Sequence, residues 1–112
     1  MNTIINFKKA QRLALLKELY NACEASPSVR MDALKVNEIN LKLKFEDFQP
    51  AYYYLADEGF TGYNGSGFNV NITHKGIKAV ETALGTPHQA TGDFVAANDV
   101  DLLLRQGFQI YE

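Results

Sequence analysis

The sequence predicts a small α+β fold, and three local patterns predict it. Phe7, Ala10, Leu13, Leu16, Tyr20 and Cys23 recur at intervals of three and four, the spacing of one helix face. Phe48, Tyr52 and Leu55 repeat at i, i+4 and i+7, and Gly59 follows where a left-handed residue ends a helix. Phe68, Val70 and Ile72 then alternate with Asn69 and Asn71, the period-two pattern of a half-buried strand.

The elements follow in chain order. The first helix runs from about Phe7 to Cys23, with Asn6 as its candidate N-cap and Pro27 beyond its end. Lys8, Lys9, Arg12 and Lys17 fall mostly off its apolar stripe. Residues 28–36 carry no clear pattern. A short helix is expected from Asn37 to Leu43, capped by Asn37 and supported by the Ile39–Leu43 pair. After a turn at Lys44-Phe45-Glu46, Asp47 is the candidate cap of the next helix. That cap would put Pro50 in the first turn, where a missing N–H is tolerated. Phe60–Tyr63 and Phe68–Ile72 are expected to pair as a hairpin, with Asn64-Gly65 supplying the left-handed turn residues. Thr73 is the expected cap of a closing helix in which Ile77, Val80 and Leu84 face inward, and Gly85, Thr86 and Pro87 stop it. Past a polar loop, a short helix is expected from Asp99 to Gln106, with Val100, Leu103 and Leu104 on one side. Gly107 is expected to end it, and Phe108–Tyr111 is a candidate strand.

The totals bound the function. At 112 residues the chain is sized for one domain, and 46% hydrophobic with 21% charged residues is ordinary for a globular protein. The net charge of −2 gives no global attraction to phosphate or anionic lipid. The charge is split, however. Residues 1–45 hold eight Lys/Arg against four Asp/Glu, whereas residues 46–112 hold three against nine. A basic face must therefore come mainly from the first half. The single cysteine, Cys23, rules out an internal disulfide. No basic-apolar-small leader opens the chain and no apolar run approaches 18 residues, so a cytoplasmic protein with no membrane partner is expected.

Two stretches carry a family resemblance. "YYYLADEGF" (52–60) reads as a helix end leading through Glu-Gly-aromatic into a strand. "NITHKGIKAVETAL" (71–84) reads as a strand exit into a capped helix. Over roughly residues 5–85 the chain resembles the winged helix-turn-helix superfamily. The resemblance implies a three-helix core, a two-stranded β-hairpin wing and a closing helix over residues 1–85. Residues 86–112 would be a C-terminal extension, suited to dimerisation because Val100, Leu102, Leu103, Leu104, Phe108 and Ile110 are too apolar to leave in water.

In that superfamily the third helix lies in the major groove and the wing touches the backbone. Carried onto this chain, Gln49, Tyr53, Ala56 and Asp57 would point outward, with Tyr54 at the edge and Asn64 at the wing tip. The resemblance thus implies a transcriptional-regulator-like DNA binder, a homodimer without cofactor. It would use Gln49, Tyr53, Tyr54 and Asn64 toward the groove and Lys42, Lys44, Lys75 and Lys78 on phosphates. The sequence departs from the DNA-reading pattern in one respect. Residues 46–73 contain no Lys or Arg, while Glu46, Asp47, Asp57 and Glu58 flank the helix, and nonspecific DNA affinity comes mainly from neutralised phosphates. The rival expectation is a winged-helix protein-interaction module that does not bind DNA and presents Tyr53, Tyr54 and the acidic helix ends to a partner protein.

No enzyme is expected. Asp57 and Glu58 are adjacent on a helix, so their side chains diverge by about 100° and do not face one bond. "GYNGSGF" (62–68) is followed by a strand rather than a helix, which suits a hairpin turn rather than a phosphate cradle. Cys23, His74 and His88 fit no metal-ligand spacing.

Overall fold

The computed structural model describes residues 3–23, 29–30, 45–63, 69–92 and 94–111. Among these, four α-helices and three short strands form a mixed α+β arrangement compatible with a winged-helix-like layout. The order is α1 (Thr3–Cys23), β1 (Val29–Arg30), α2 (Phe45–Asp57), β2 (Thr61–Tyr63), β3 (Asn69–Ile72), α3 (His74–Gly85), a 3-10 turn (Ala97–Asp99) and α4 (Val100–Tyr111). The expected helix over 37–43 and the hairpin turn at 64–65 lie outside the described residues.

Helix α1 is the centre of the molecule. Phe7, Ala10, Leu13 and Leu16 are buried as their spacing predicts, with Tyr20 and Cys23 half-buried. Ala14, Leu15 and Leu19 are buried as well, so the helix is covered on more than one face. It packs against α2, α3, α4 and the sheet. It begins at Thr3, so Asn6 lies within its first turns rather than capping it. Burial of Phe7 and Ala10 holds that early turn in place, and packing rather than local propensity decides the start.

The sheet has three strands in the order β1-β3-β2, both pairs antiparallel. The hairpin register sets Thr61 opposite Ile72, Gly62 opposite Asn71 and Tyr63 opposite Val70. On the other side, Val29 faces Val70 and Arg30 faces Asn69. A two-residue strand is too short for a periodic signature, which is why residues 28–36 read as patternless.

Three expectations are corrected. Helix α2 starts at Phe45, ahead of Asp47, which places Pro50 inside the helix rather than in its first turn. Pro50 is exposed, and the carbonyl to which it cannot donate is that of Glu46, in the first turn of α2. In α3 Val80 is buried as expected, but Gly76 and Ala83 are the other buried positions, while Ile77 is half-buried and Leu84 is 41% exposed. The helix docks on its small-residue stripe, which lets its backbone come close to the hairpin; a stripe of large apolar residues is not what it buries. Finally, Phe108–Tyr111 is helical: α4 runs through Gly107 to Tyr111. The interior glycine costs about 1 kcal/mol, and the spacing Val100, Leu104, Phe108, Tyr111 continues the helical period through it.

The residues after α3 share the main core. Phe94, Val95, Val100 and Leu104 are buried in one cluster with α1 residues, and α4 packs along α1. Leu103 is half-buried and Leu102 is 57% exposed.

Candidate nucleic-acid interface

The candidate surface is the outer side of α2 and the junction that joins it to the hairpin. That junction is built from backbone chemistry. Gly59 has φ +84°, the left-handed conformation that ends a helix. Phe60 N donates to Leu55 O at 2.9 Å and Gly59 N to Ala56 O at 3.1 Å. This paired pattern satisfies the last carbonyls of α2, and buried Leu55 and Phe60 anchor it from below.

Thr73 locks the same corner to α3. Its hydroxyl donates to Gly59 O at 2.6 Å and accepts from Gly76 N at 3.1 Å. Its backbone N–H donates to Phe60 O at 3.1 Å. One threonine thus caps α3, as predicted, and ties it to the end of α2. Gly76 explains how close the two come. A Cβ there would sit inside contact distance of Phe60 O and 2.7 Å from Ile72 Cγ1.

The candidate residues distribute as follows. Tyr53 is 56% exposed and Tyr54 half-buried on α2. Gln49 belongs to α2, four residues before Tyr53; its side chain is outside the described residues, as are Lys42, Lys44 and Asn64. Lys75 and Lys78 are exposed on α3. Lys75 is brought to the end of α2: its Nζ donates to Glu58 O at 2.7 Å and lies 4.9 Å from the centre of the Phe60 ring. A cation there complements the partial negative charge of the helix C-terminus. Asp57 and Glu58 are exposed at that same end.

Arg12 is a residue the sequence does not single out. Its guanidinium carbon lies 3.6 Å from the centre of the Tyr54 ring, a cation–π contact from α1 to α2. The basic run on α1 is visible in the sequence, but which cation meets which ring depends on how two helices distant in the chain are packed. Two turns further along α1, Tyr20 OH donates to Glu81 Oε2 at 2.9 Å, tying α1 to α3.

Cys23 is half-buried and His74 and His88 are exposed; His88 Nδ1 lies 2.9 Å from Asn98 Nδ2. Among the described residues no group of three His, Cys, Asp or Glu is placed to hold a metal ion, and no helix is long and apolar enough to cross a membrane. Comparison of the chain with protein-family models, curated proteins and solved structures finds no match.

Proposed function

We propose that the chain is a winged helix-turn-helix DNA-binding protein of transcriptional-regulator type, acting as a homodimer without a cofactor. Helix α2 would enter the major groove and β2–β3 would be the wing. The observation that carries this reading is the supply of positive charge to α2 from outside residues 46–73. Arg12 of α1 lies over the Tyr54 ring, and Lys75 of α3 sits at the α2 C-terminus. A guanidinium carries five N–H donors, and a contact of its carbon with a ring face consumes none of them as a conventional hydrogen bond. Lys75 spends one of its three donors on Glu58 O. The local deficit of cations is thus partly offset by the fold. The sheet order supports the same reading, because β1 pins β3 and so fixes the hairpin against the helices.

A titration of labelled mixed-sequence duplex DNA at low and moderate salt tests the proposal. Contacts from Arg12, Lys75 and Lys78, with Lys42 and Lys44, give an expected log–log salt slope on the order of −4 per protomer. Absence of binding at low salt by the folded protein sinks it.

One observation favours a second reading, a protein-interaction module. Exposed Tyr53 lies one helical turn from exposed Asp57, an acidic, aromatic face suited to a basic protein surface. Under that reading DNA binding is absent, and Tyr53→Ala removes partner binding without moving the melting temperature.

A further inference from the structure

A groove of about 280 Å³ lies between α3, the start of the hairpin and the segment around Thr91–Phe94. It is separate from the outer face of α2. Its origin is in the α3 sequence. Gly76, Val80 and Ala83 face the core, so Lys75, Lys78, Ala79 and Thr82, at i, i+3, i+4 and i+7, form the adjoining face and line the groove. Ala79 is small, which deepens the groove at its middle.

Two features specify what would fill it. The floor is aromatic: Phe60 and Phe94 line it, their ring centres 5.4 Å apart and tilted at 52°. The rim is cationic, with Lys75 and Lys78 one turn apart and no carboxylate among the described lining residues, Asp93 lying outside them. The Thr91 hydroxyl oxygen is buried and has no hydrogen-bond partner among the described residues. That oxygen is sealed from the groove, so the contacts open to a ligand come from the floor and the rim. The volume is at the small end for ligand sites.

We propose that this groove binds a small organic acid with one anionic head and a flat apolar body. The head sits between the ammonium groups of Lys75 and Lys78, and the body lies against the accessible edges of Phe60 and Phe94. The size of the groove limits affinity to a dissociation constant on the order of 0.1–1 mM. Lys75 and Lys78 also belong to the phosphate contacts proposed above, so the test leaves nucleic acid out and stands independently of DNA binding.

The experiment titrates the full chain with 2-naphthoate, with its uncharged amide 2-naphthamide and with inorganic phosphate, followed by backbone amide shifts. Saturable shifts at residues 75–82 and 91–94 with naphthoate, and binding at least tenfold weaker for naphthamide and for phosphate, are the expected results. Lys78→Gln, an exposed position, should weaken naphthoate about tenfold. Naphthamide binding as tightly removes the role of charge, and phosphate binding as tightly removes the role of the aromatic floor. Either result overturns the proposal, as does an unchanged affinity in Lys78→Gln, shifts confined to other residues, or no saturation with folded protein.

Discussion

Gly76 concentrates the local physics of this fold in one residue. In an ordinary exposed helix, glycine to alanine gains about 1 kcal/mol. Here the new methyl group would collide with the Phe60 carbonyl and with Ile72. We expect Gly76→Ala to lose about 2–4 kcal/mol, since over-packing against backbone has no flexible side chain to displace. Gly85→Ala is the control: nothing lies near its Cβ position, and a gain of about 0.4–1 kcal/mol is expected. Urea denaturation of the two variants reads both signs, and a stabilised Gly76→Ala would contradict the close approach of α3 to the hairpin. Thr73→Ala removes the cap and the bond to Gly59 O, with an expected loss of about 1–2 kcal/mol by the same method. At this scale the sequence is readable where the signal is local. The Thr73 cap and the Gly59 helix end follow from their immediate neighbours. The partner of Gly76 is 16 residues away and is not visible in the local pattern. Neither is the ring that Arg12 meets.

Among the elements, α1 and α4 decide stability. Leu104 is fully buried against a core that includes Leu16 and Leu19, also buried. Leu104→Ala should cost about 2–5 kcal/mol, measurable as a lower denaturation midpoint with an unchanged slope. Ending the chain at Gly85 uncovers the α1 surface that α4 packs on. Such a chain is expected to melt well below the intact protein or to aggregate. If instead it melts with the full chain, α4 contributes nothing to the core. The helix periods of α1 and α2 and the alternation of β3 were all legible, because each depends on residues close in sequence. Strand β1 was not, since two residues carry no period. The length of α4 was misread because Gly107 is a strong local stop signal overruled by a helical spacing that continues past it. The inward face of α3 is legible only at Val80: apolar bulk marks most buried stripes, and here Gly76 and Ala83 take the places that bulk assigns to Ile77 and Leu84.

For the whole molecule, the governing quantity is the distribution of charge. The first 45 residues carry net +4 and the remainder −6, and folding carries some of the early charge to α2 through Arg12. The position of the candidate surface was legible in "YYYLADEGF", whereas its electrostatics were not, because they depend on cations from α1 and α3. A homodimer would double the phosphate contacts and steepen the salt dependence accordingly. Sedimentation of the intact chain at micromolar concentration is expected to give twice the monomer mass; a monomer there would remove the dimer from the proposal while leaving DNA binding to be read by itself. The measurement that bears most directly on the proposed function is a map of backbone amide shifts on adding mixed-sequence duplex DNA at low salt. We expect the largest changes at residues 52–57 of α2, at Arg12 and near Lys75, fading as salt is raised. A spectrum unchanged by DNA, or changes that avoid α2 altogether, would contradict the proposal that this acidic, tyrosine-bearing helix faces a nucleic acid.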